Sequence, residues 1–287
     1  MWLNYKNMSE ENVVRISVKD AFRSKIPRFS KWIPGYIFRR LERLICQDEL
    51  NKILADNCGK SGSAFSEGAL HTLDIGLTVE GLENIPSQGR FIFASNHPLG
   101  GLDGIALISI FGKHFGDENV RCLVNDVLMA VKPLESVFLP VNKYGKQSRE
   151  KMLAVEEAYL SDKQIITFPA GLCSRKGDDG KVRDLEWQKS FIVKAIETQR
   201  DIIPVYFSGL NSRFFYNFAR VRKKIGIKFN IELIFLPREM VKNKGNNFVV
   251  RIGKPIPWTT FDNTKKKKQW AAWVKGQVYS LMNDTNK

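Results

Sequence analysis

The residues best suited to chemistry lie in one short run, Asn96-His97-Pro98-Leu99-Gly100-Gly101-Leu102-Asp103-Gly104. Histidine is the side chain whose unperturbed pKa suits a general base near neutral pH. A carboxylate beside it can hold the ring, fix its tautomer and stabilise the imidazolium that forms. Gly100 and Gly101 let the chain turn tightly enough for Asp103 to come back onto His97. A plainer reading of the same spacing has Asp103 cap the helix that follows, with His97 incidental. Spacing alone leaves both readings open.

Such a loop needs a scaffold, and the flanking sequence supplies one. Phe91-Ile92-Phe93-Ala94 just before it is a continuous apolar strand, and a helical pattern over 104–112 follows. Further short strands are expected at 77–80, 119–124, 136–141, 164–168, 202–207, 231–236 and 248–252, with helices at 146–161 and 185–198. Pro204 argues for an edge or an irregularity in its strand. Apolar strands alternating with helices predict an α/β domain with a mostly parallel central sheet flanked by helices. In such sheets ligands bind beyond the carboxyl ends of the strands, which is where His97 falls.

Charge sets a second constraint. The 287 residues carry 45 Lys+Arg and 30 Asp+Glu, a net +15. A surface this basic seeks a polyanion: nucleic acid, anionic lipid, or an acidic carrier or substrate. Residues 13–45 hold nine basic residues against Asp20 and Glu42, a net +7. Pro27 and Pro34 break that stretch into two or three short helices. The segment 211–224 interleaves Phe214, Phe215, Tyr216 and Phe218 with Arg213, Arg220, Arg222, Lys223 and Lys224. Lys265-Lys266-Lys267-Lys268 opens an amphipathic C-terminal helix. The longest apolar run, 104–112, falls well short of a membrane span, and Met1 to Lys6 has no signal-peptide core. The cysteines Cys46, Cys58, Cys122 and Cys173 form no CxxC pair, which points to a reducing cytoplasm. His71, His97 and His114 are too dispersed for a zinc site, so no metal is expected. Cys173 lies at a strand end, but buried packing is the ordinary role of a free cysteine.

From these residues the chain resembles the lysophospholipid and glycerol-phosphate acyltransferase superfamily over about residues 77–256. The family signature is Asn-His, four residues, then Asp; here five residues separate His97 from Asp103. Leu77 to Pro86 looks like the family's approach strand, Phe168 to Arg175 like its Phe-Pro-Glu-Gly-Thr-Arg-Ser-Arg block, Ile203-Pro204-Val205 like its Val-Pro-Val block, and Arg251 to Ile256 like its closing Gly-x-Pro-Ile strand. Five blocks in order are far more specific than one. The likeness implies His97 as general base and Asp103 as the residue that orients it. It further implies substrate contacts from Asn96, Gly100, Gly101, Asn142, Lys143, Gly171, Ser174 and Arg175.

Two departures bear on the acceptor. Ala170 stands where the family has an acid, and Leu172-Cys173 where it has Thr-Arg. Both count against a phosphate-bearing acceptor such as lysophosphatidate. The pattern is similar instead to the hemolysin-like branch, which includes the O-acyltransferases of ornithine and glycine aminolipid synthesis. That resemblance implies direct transfer of a fatty acyl group from acyl carrier protein or CoA to the 3-hydroxyacyl group of an N-acyl amino acid, with no resident cofactor. The expected organisation is a basic amphipathic region on a membrane surface (1–70), a catalytic domain (71–260) and a C-terminal amphipathic helix (261–287). An anionic bilayer is the expected partner, with the protein peripheral or monotopic on the cytoplasmic face of the inner membrane. The alternatives are a 1-acylglycerol-3-phosphate acyltransferase and, in another class, a basic nucleic-acid-binding protein. The second accounts for the charge but not for the ordered blocks, and no helix-turn-helix, zinc finger or RNA-recognition signature is present. No nucleic-acid partner is therefore expected.

Overall fold

A computed structural model describes residues 15–25, 33–141 and 148–283. Its centre is a seven-stranded sheet. The strands are β1 (Gly76–Glu80), β2 (Phe91–Ser95), β3 (Val120–Asn125), β4 (Phe138–Val141), β5 (Gln164–Thr167), β8 (Asp201–Phe207) and β9 (Asn247–Ile252), in the spatial order β1-β9-β8-β2-β5-β3-β4. All neighbours pair in parallel except β8 with β9. A two-stranded antiparallel ribbon of β6 (Arg175–Lys176) and β7 (Val182–Arg183) stands apart. The expected fold class is thus the one observed.

Period-two geometry sends alternate side chains of each strand to opposite faces, and here both faces are covered. Phe91, Phe93, Ile166, Ile203 and Val205 pack on one side with α4 (Gly62–Thr72) and α5 (Leu102–Phe115). Ile92, Ala94, Ile165 and Ile202 pack on the other with α7 (Ser190–Glu197) and α10 (Lys267–Ser280). β2 and β5 are buried at every position, with apolar centres (Phe91 to Ala94 and Ile165-Ile166) and the polar Ser95, Gln164 and Thr167 buried at their ends. The remaining helices among the described residues are α1 (Val18–Lys25), α2 (Gly35–Leu44), α3 (Gln47–Asp56), α6 (Arg149–Leu160), α8 (Arg213–Lys224) and α9 (Leu236–Lys242). The basic N-terminal stretch therefore supplies two short helices, and residues 26–32 between them lie outside the described residues. The ends of the chain join the same cores: Val18 and Phe38 in one, Trp270, Val274 and Val278 in the other.

Two expectations need correction. Residues 231–236 are not a strand. Ile231–Phe235 is a 3₁₀ turn that runs into α9. Pro237 sits in the first turn of that helix, where its missing N–H costs nothing. Glu232, which a strand would have placed on a face of the sheet, is fully buried between two arginines. Nor is the Pro204 strand at an edge, since β8 lies between β9 and β2. The irregularity lies in its partner: β9 pairs only with Val205 to Phe207, and Gly253 accommodates the proline ring. A Cβ at Gly253 would stand 2.8 Å from Pro204 Cγ.

This topology opens a crevice. The chain leaves β2 through α5 on one face of the sheet and leaves β5 through the ribbon and α7 on the other. The loops after β2 and β5 therefore diverge at the carboxyl ends of adjacent strands.

Candidate active site

His97 is the second residue after β2. Its Nδ1 lies 3.0 Å from Asp103 Oδ2 despite the five-residue spacing. Gly100 absorbs the additional residue, with φ +81°. A side chain there would also stand about 3.0 Å from Leu236 and 3.1 Å from the Cys173 Cβ. Asp103 occupies the first turn of α5, but the N-cap of that helix is Gly101 and no side chain caps it, so Asp103 is not the cap that the plainer reading expects. Its Oδ2 also accepts from the N–H of Leu99 at 3.0 Å and of Gly100 at 3.3 Å, and its Oδ1 from the N–H of Gly104 at 2.9 Å. Burial alone would raise the Asp103 pKa; His97 and the Leu99 and Gly100 amides reverse this and hold it below the ordinary value. Burial alone would likewise lower the His97 pKa, but the charge and hydrogen bond of Asp103 hold it above the ordinary value. An ionised Asp103 only accepts, so Nδ1 carries the proton and the neutral ring keeps its lone pair on Nε2. Nε2 has no hydrogen-bond partner among the described residues. Phe168 fixes the ring from one side, stacked at a centroid distance of 4.1 Å.

A second carboxylate, which sequence reasoning missed, holds the other side of the loop. Asp184 Oδ1 accepts from the His97 N–H at 3.1 Å and from Ser174 Oγ at 2.6 Å. Its Oδ2 accepts from Trp187 Nε1 at 2.8 Å. Burial pushes its pKa up against these hydrogen bonds. The backbone of Asp184 is tied in turn to α10. Its N–H donates to the Tyr279 hydroxyl at 2.8 Å, and its carbonyl accepts from Lys275 Nζ at 2.7 Å. The antiparallel ribbon β6–β7 makes this possible, since its pairing of Arg175 with Arg183 brings the flanking Ser174 and Asp184 together at its open end. Asp184 has no distinctive neighbours in the chain, and its partner His97 is 87 residues away.

The remaining expected residues have diverse surroundings. Asn96 is buried and gives both amide atoms to Phe207 of β8, donating to its carbonyl at 2.9 Å and accepting from its N–H at 2.7 Å. It therefore staples β2 to β8. Gly101 precedes α5 with open space where a side chain would be. Gly171 closes the turn after β5, its N–H donating to the Phe168 carbonyl at 2.8 Å. Ser174 is buried and faces Asp184, and its N–H donates to the His97 carbonyl at 2.7 Å. Arg175 donates to the Cys173 carbonyl at 2.7 Å and to buried Glu232 at 2.8 Å, with its guanidinium 5.3 Å from the centre of the Phe215 ring. Glu232 also pairs with Arg222 at 3.0 Å, so two cations face one buried acid beside the site. Asn142 and Lys143 lie outside the described residues. Cys173 is buried, with its pKa pushed up to about 11 by burial, and is no thiolate nucleophile at neutral pH. Ala170 is buried in the core with Trp187, a place where an acid would have had to desolvate. Among the described residues no cluster of His, Cys, Asp or Glu could hold a metal ion, and no helix is long and apolar enough to cross a membrane.

An α/β sheet with a histidine–carboxylate couple at its strand ends defines a broad class of proteins in which that couple can act as a base. Comparison with known proteins narrows that class: this chain belongs to the acyltransferase family, whose model matches residues 21–287. It is 47% identical over 278 residues to a lyso-glycine lipid O-acyltransferase of Phocaeicola vulgatus, covering 97% of this chain and 99% of that protein. It is 46% identical over 274 residues to the lyso-glycine lipid O-acyltransferase of Bacteroides thetaiotaomicron, covering 96% and 100%. Among solved structures, the 1-acyl-sn-glycerophosphate acyltransferase of Thermotoga maritima aligns with a TM-score of 0.48 at 19% identity, over 78% of this chain and 80% of that one. The protein is an acyltransferase of lipid biosynthesis.

Proposed function

We propose that the protein transfers a fatty acyl group from an acyl thioester to the hydroxyl of a lyso-aminolipid, the 3-hydroxyacyl group of an N-acyl amino acid, with N-acyl-glycine as the preferred acceptor. The observation that carries this reading is His97 Nε2. It has no hydrogen-bond partner among the described residues while Nδ1 is held by a buried carboxylate. Nε2 takes the hydroxyl proton as the oxygen attacks the thioester carbonyl. The new C–O bond forms, the C–S bond breaks, and the imidazolium returns its proton to the departing thiolate. Asp103 keeps the ring oriented and stabilises its charged form. Every atom is accounted for without an acyl-enzyme, so Cys173 has no covalent part to play.

The names of the relatives support the aminolipid acceptor. So does the buried thiol of Cys173, which stands where the family has an arginine able to pair with an acceptor phosphate. The donor is acyl carrier protein or CoA. A cavity of about 620 Å³ lined by Trp187, Lys189 and the four lysines 265–268 supports a donor rich in negative charge. Gln188 on its wall donates its N–H to the Pro169 carbonyl at 2.9 Å, one residue from the phenylalanine stacked on His97. Transfer takes place at the cytoplasmic face of the inner membrane, where the acceptor resides.

The test is incubation of the purified protein with acyl-ACP or acyl-CoA and three acceptors: N-(3-hydroxyacyl)-glycine, the corresponding ornithine compound, and lysophosphatidate. Acylation of the glycine compound, abolished in His97→Ala, is the expected result. Acylation of lysophosphatidate alone overturns the acceptor, and full activity of His97→Ala overturns the mechanism.

A further inference from the structure

Residues 210–231 contain six basic residues and no acidic one. They also gather exposed apolar side chains to a degree found nowhere else among the described residues. Phe214, Val221, Ile225, Ile227, Phe229 and Ile231 all lie open, with Phe229 79% and Ile225 66% exposed. α8 explains how this comes about. Its Phe215, Tyr216 and Ala219 face inward, so Phe214 and Val221 are turned out, and the chain then leaves the helix with Ile225, Ile227 and Phe229 in the open. Water penalises such a surface, so something apolar must cover it. Arg213, Lys223, Lys224 and Lys228 are exposed among these side chains and have no carboxylate partner among the described residues.

We propose that this surface inserts into the headgroup–acyl boundary of an anionic bilayer and holds the mouth of the His97 site against it. Apolar side chains interleaved with unpaired lysines match that boundary: rings and branched chains enter the acyl layer, and ammonium groups meet lipid phosphates. The surface adjoins the chemistry. Asn211, at its start, donates Nδ2 to the carbonyl of Pro98, next to His97, at 3.2 Å and its N–H to the Tyr216 hydroxyl at 2.9 Å. It is also continuous with a second basic element, because Leu44 of α2 packs against the cluster that holds Phe215 and Tyr216. α2 exposes Tyr36, Arg39, Arg40 and Arg43 on the same flank. A lyso-lipid whose chain stays in the membrane could then present its hydroxyl to Nε2 without leaving the bilayer. This last step rests on the acyl-transfer reading above; the docking surface does not.

The experiment is co-sedimentation of the full chain with vesicles of phosphatidylcholine alone and of equal parts phosphatidylcholine and phosphatidylglycerol. Two variants are compared, F229S/I225S and K223E/K224E. Both replace exposed side chains, and the thermal midpoint checks that each is folded. The proposal expects F229S/I225S to lose about tenfold or more in vesicle affinity. It expects K223E/K224E to lose the preference for phosphatidylglycerol. Turnover of a short-chain acceptor dissolved in water should be unchanged in both. Unchanged vesicle affinity in F229S/I225S overturns the proposal. So does a wild-type dimer that F229S/I225S turns into a monomer without loss of vesicle affinity, which would assign the surface to a second copy. Binding is read without turnover, so a failure to acylate aminolipids leaves this test standing, and a failure to bind leaves the acceptor assay standing.

Discussion

The two ends of the central sheet treat buried charge in opposite ways. At the carboxyl ends of the parallel strands lie the buried acids Asp103 and Asp184, with Glu232 and Glu239 behind them. At the other end lies the buried base Arg200. Arg200 donates to the carbonyls of Tyr159 at 2.8 Å, Lys163 at 2.7 Å and Ala158 at 3.3 Å, and also to that of Ser161. The carbonyls of Ala158, Tyr159 and Ser161 are the orphans of the last turn and C-cap of α6, and Lys163 follows it, so the fully buried guanidinium completes a helix end and faces no substrate. The acids do the converse at N-terminal turns and loop amides, but the chain of hydrogen bonds from Asp103 ends on a ring whose Nε2 has no partner among the described residues. A cleft of about 740 Å³ also lies at the Arg200 end, lined by Arg90, Asp162, Asp201 and Trp258 among others. It is larger than the lysine-lined cavity, yet two of its charged groups are engaged by the protein's own backbone: Arg90 donates to the Leu160 and Thr198 carbonyls and Asp201 accepts from the Trp258 N–H. On the function proposed above, convergence on an unspent atom, rather than volume, separates a reactive end from a structural one.

The largest effect expected from breaking this contrast is at the unspent atom. His97→Ala should reduce acyl transfer about 10³-fold, within the range for general-base assistance, with the circular dichroism spectrum and Tm close to wild type. A rate within a few-fold of wild type would mean that both ends of the sheet are structural. Next comes the carboxylate behind it. His97 accepts a proton only when neutral, so kcat/KM rises with pH through its pKa, and the midpoint should lie above the ordinary 6.5. Asp103→Asn removes the charge that opposes burial. The midpoint should then move below that of wild type, and the plateau rate should fall about 10²-fold. A midpoint unmoved by the substitution would dissolve the couple. The structural end gives a smaller and different response. Arg200→Met strips the donors from four carbonyls and should cost about 3 kcal/mol of stability, read as a lower urea midpoint, while the folded enzyme keeps its kcat. A loss of kcat would transfer function to that end.

How much of this contrast could be read from residues alone depends on how far apart the partners lie in the chain. β2 and β5 were legible because strands buried on both faces are built around apolar residues, Phe91 to Ala94 in one and Ile165-Ile166 in the other. His97 and Asp103 were legible because they share one turn, and the five-residue spacing proved harmless because Gly100 takes a conformation that other residues avoid. Residues 231–236 misled because an apolar run reads the same in a strand and in a buried turn; only Pro237 and the two arginines that claim Glu232 decide between them. Asn96 was expected to touch substrate, yet its amide matches the backbone of β8 across 111 residues. Asp184 was not visible at all. Its importance comes from contacts with His97, Ser174, Trp187 and Tyr279, and no periodicity brings those positions together.

The smallest expected effect bears on that hidden carboxylate and on the C-terminal helix behind it. Tyr279 carries the hydroxyl that accepts the Asp184 N–H, and it also packs edge-on against Tyr206 of β8 at 6.3 Å between ring centres. Tyr279→Phe keeps the ring and removes only the acceptor. One buried N–H then lacks a partner, which should cost about 1 kcal/mol of stability. Because Asp184 holds the backbone of His97 rather than its ring, the chemistry should suffer less than the fold: kcat down about threefold, KM and the pH midpoint unchanged. The charge of Asp184 adds to that of Asp103 in raising the proton affinity of His97, and Tyr279→Phe leaves that charge in place; a shifted midpoint would mean that the Tyr279 hydroxyl, through the Asp184 backbone, also sets how that charge acts on the ring.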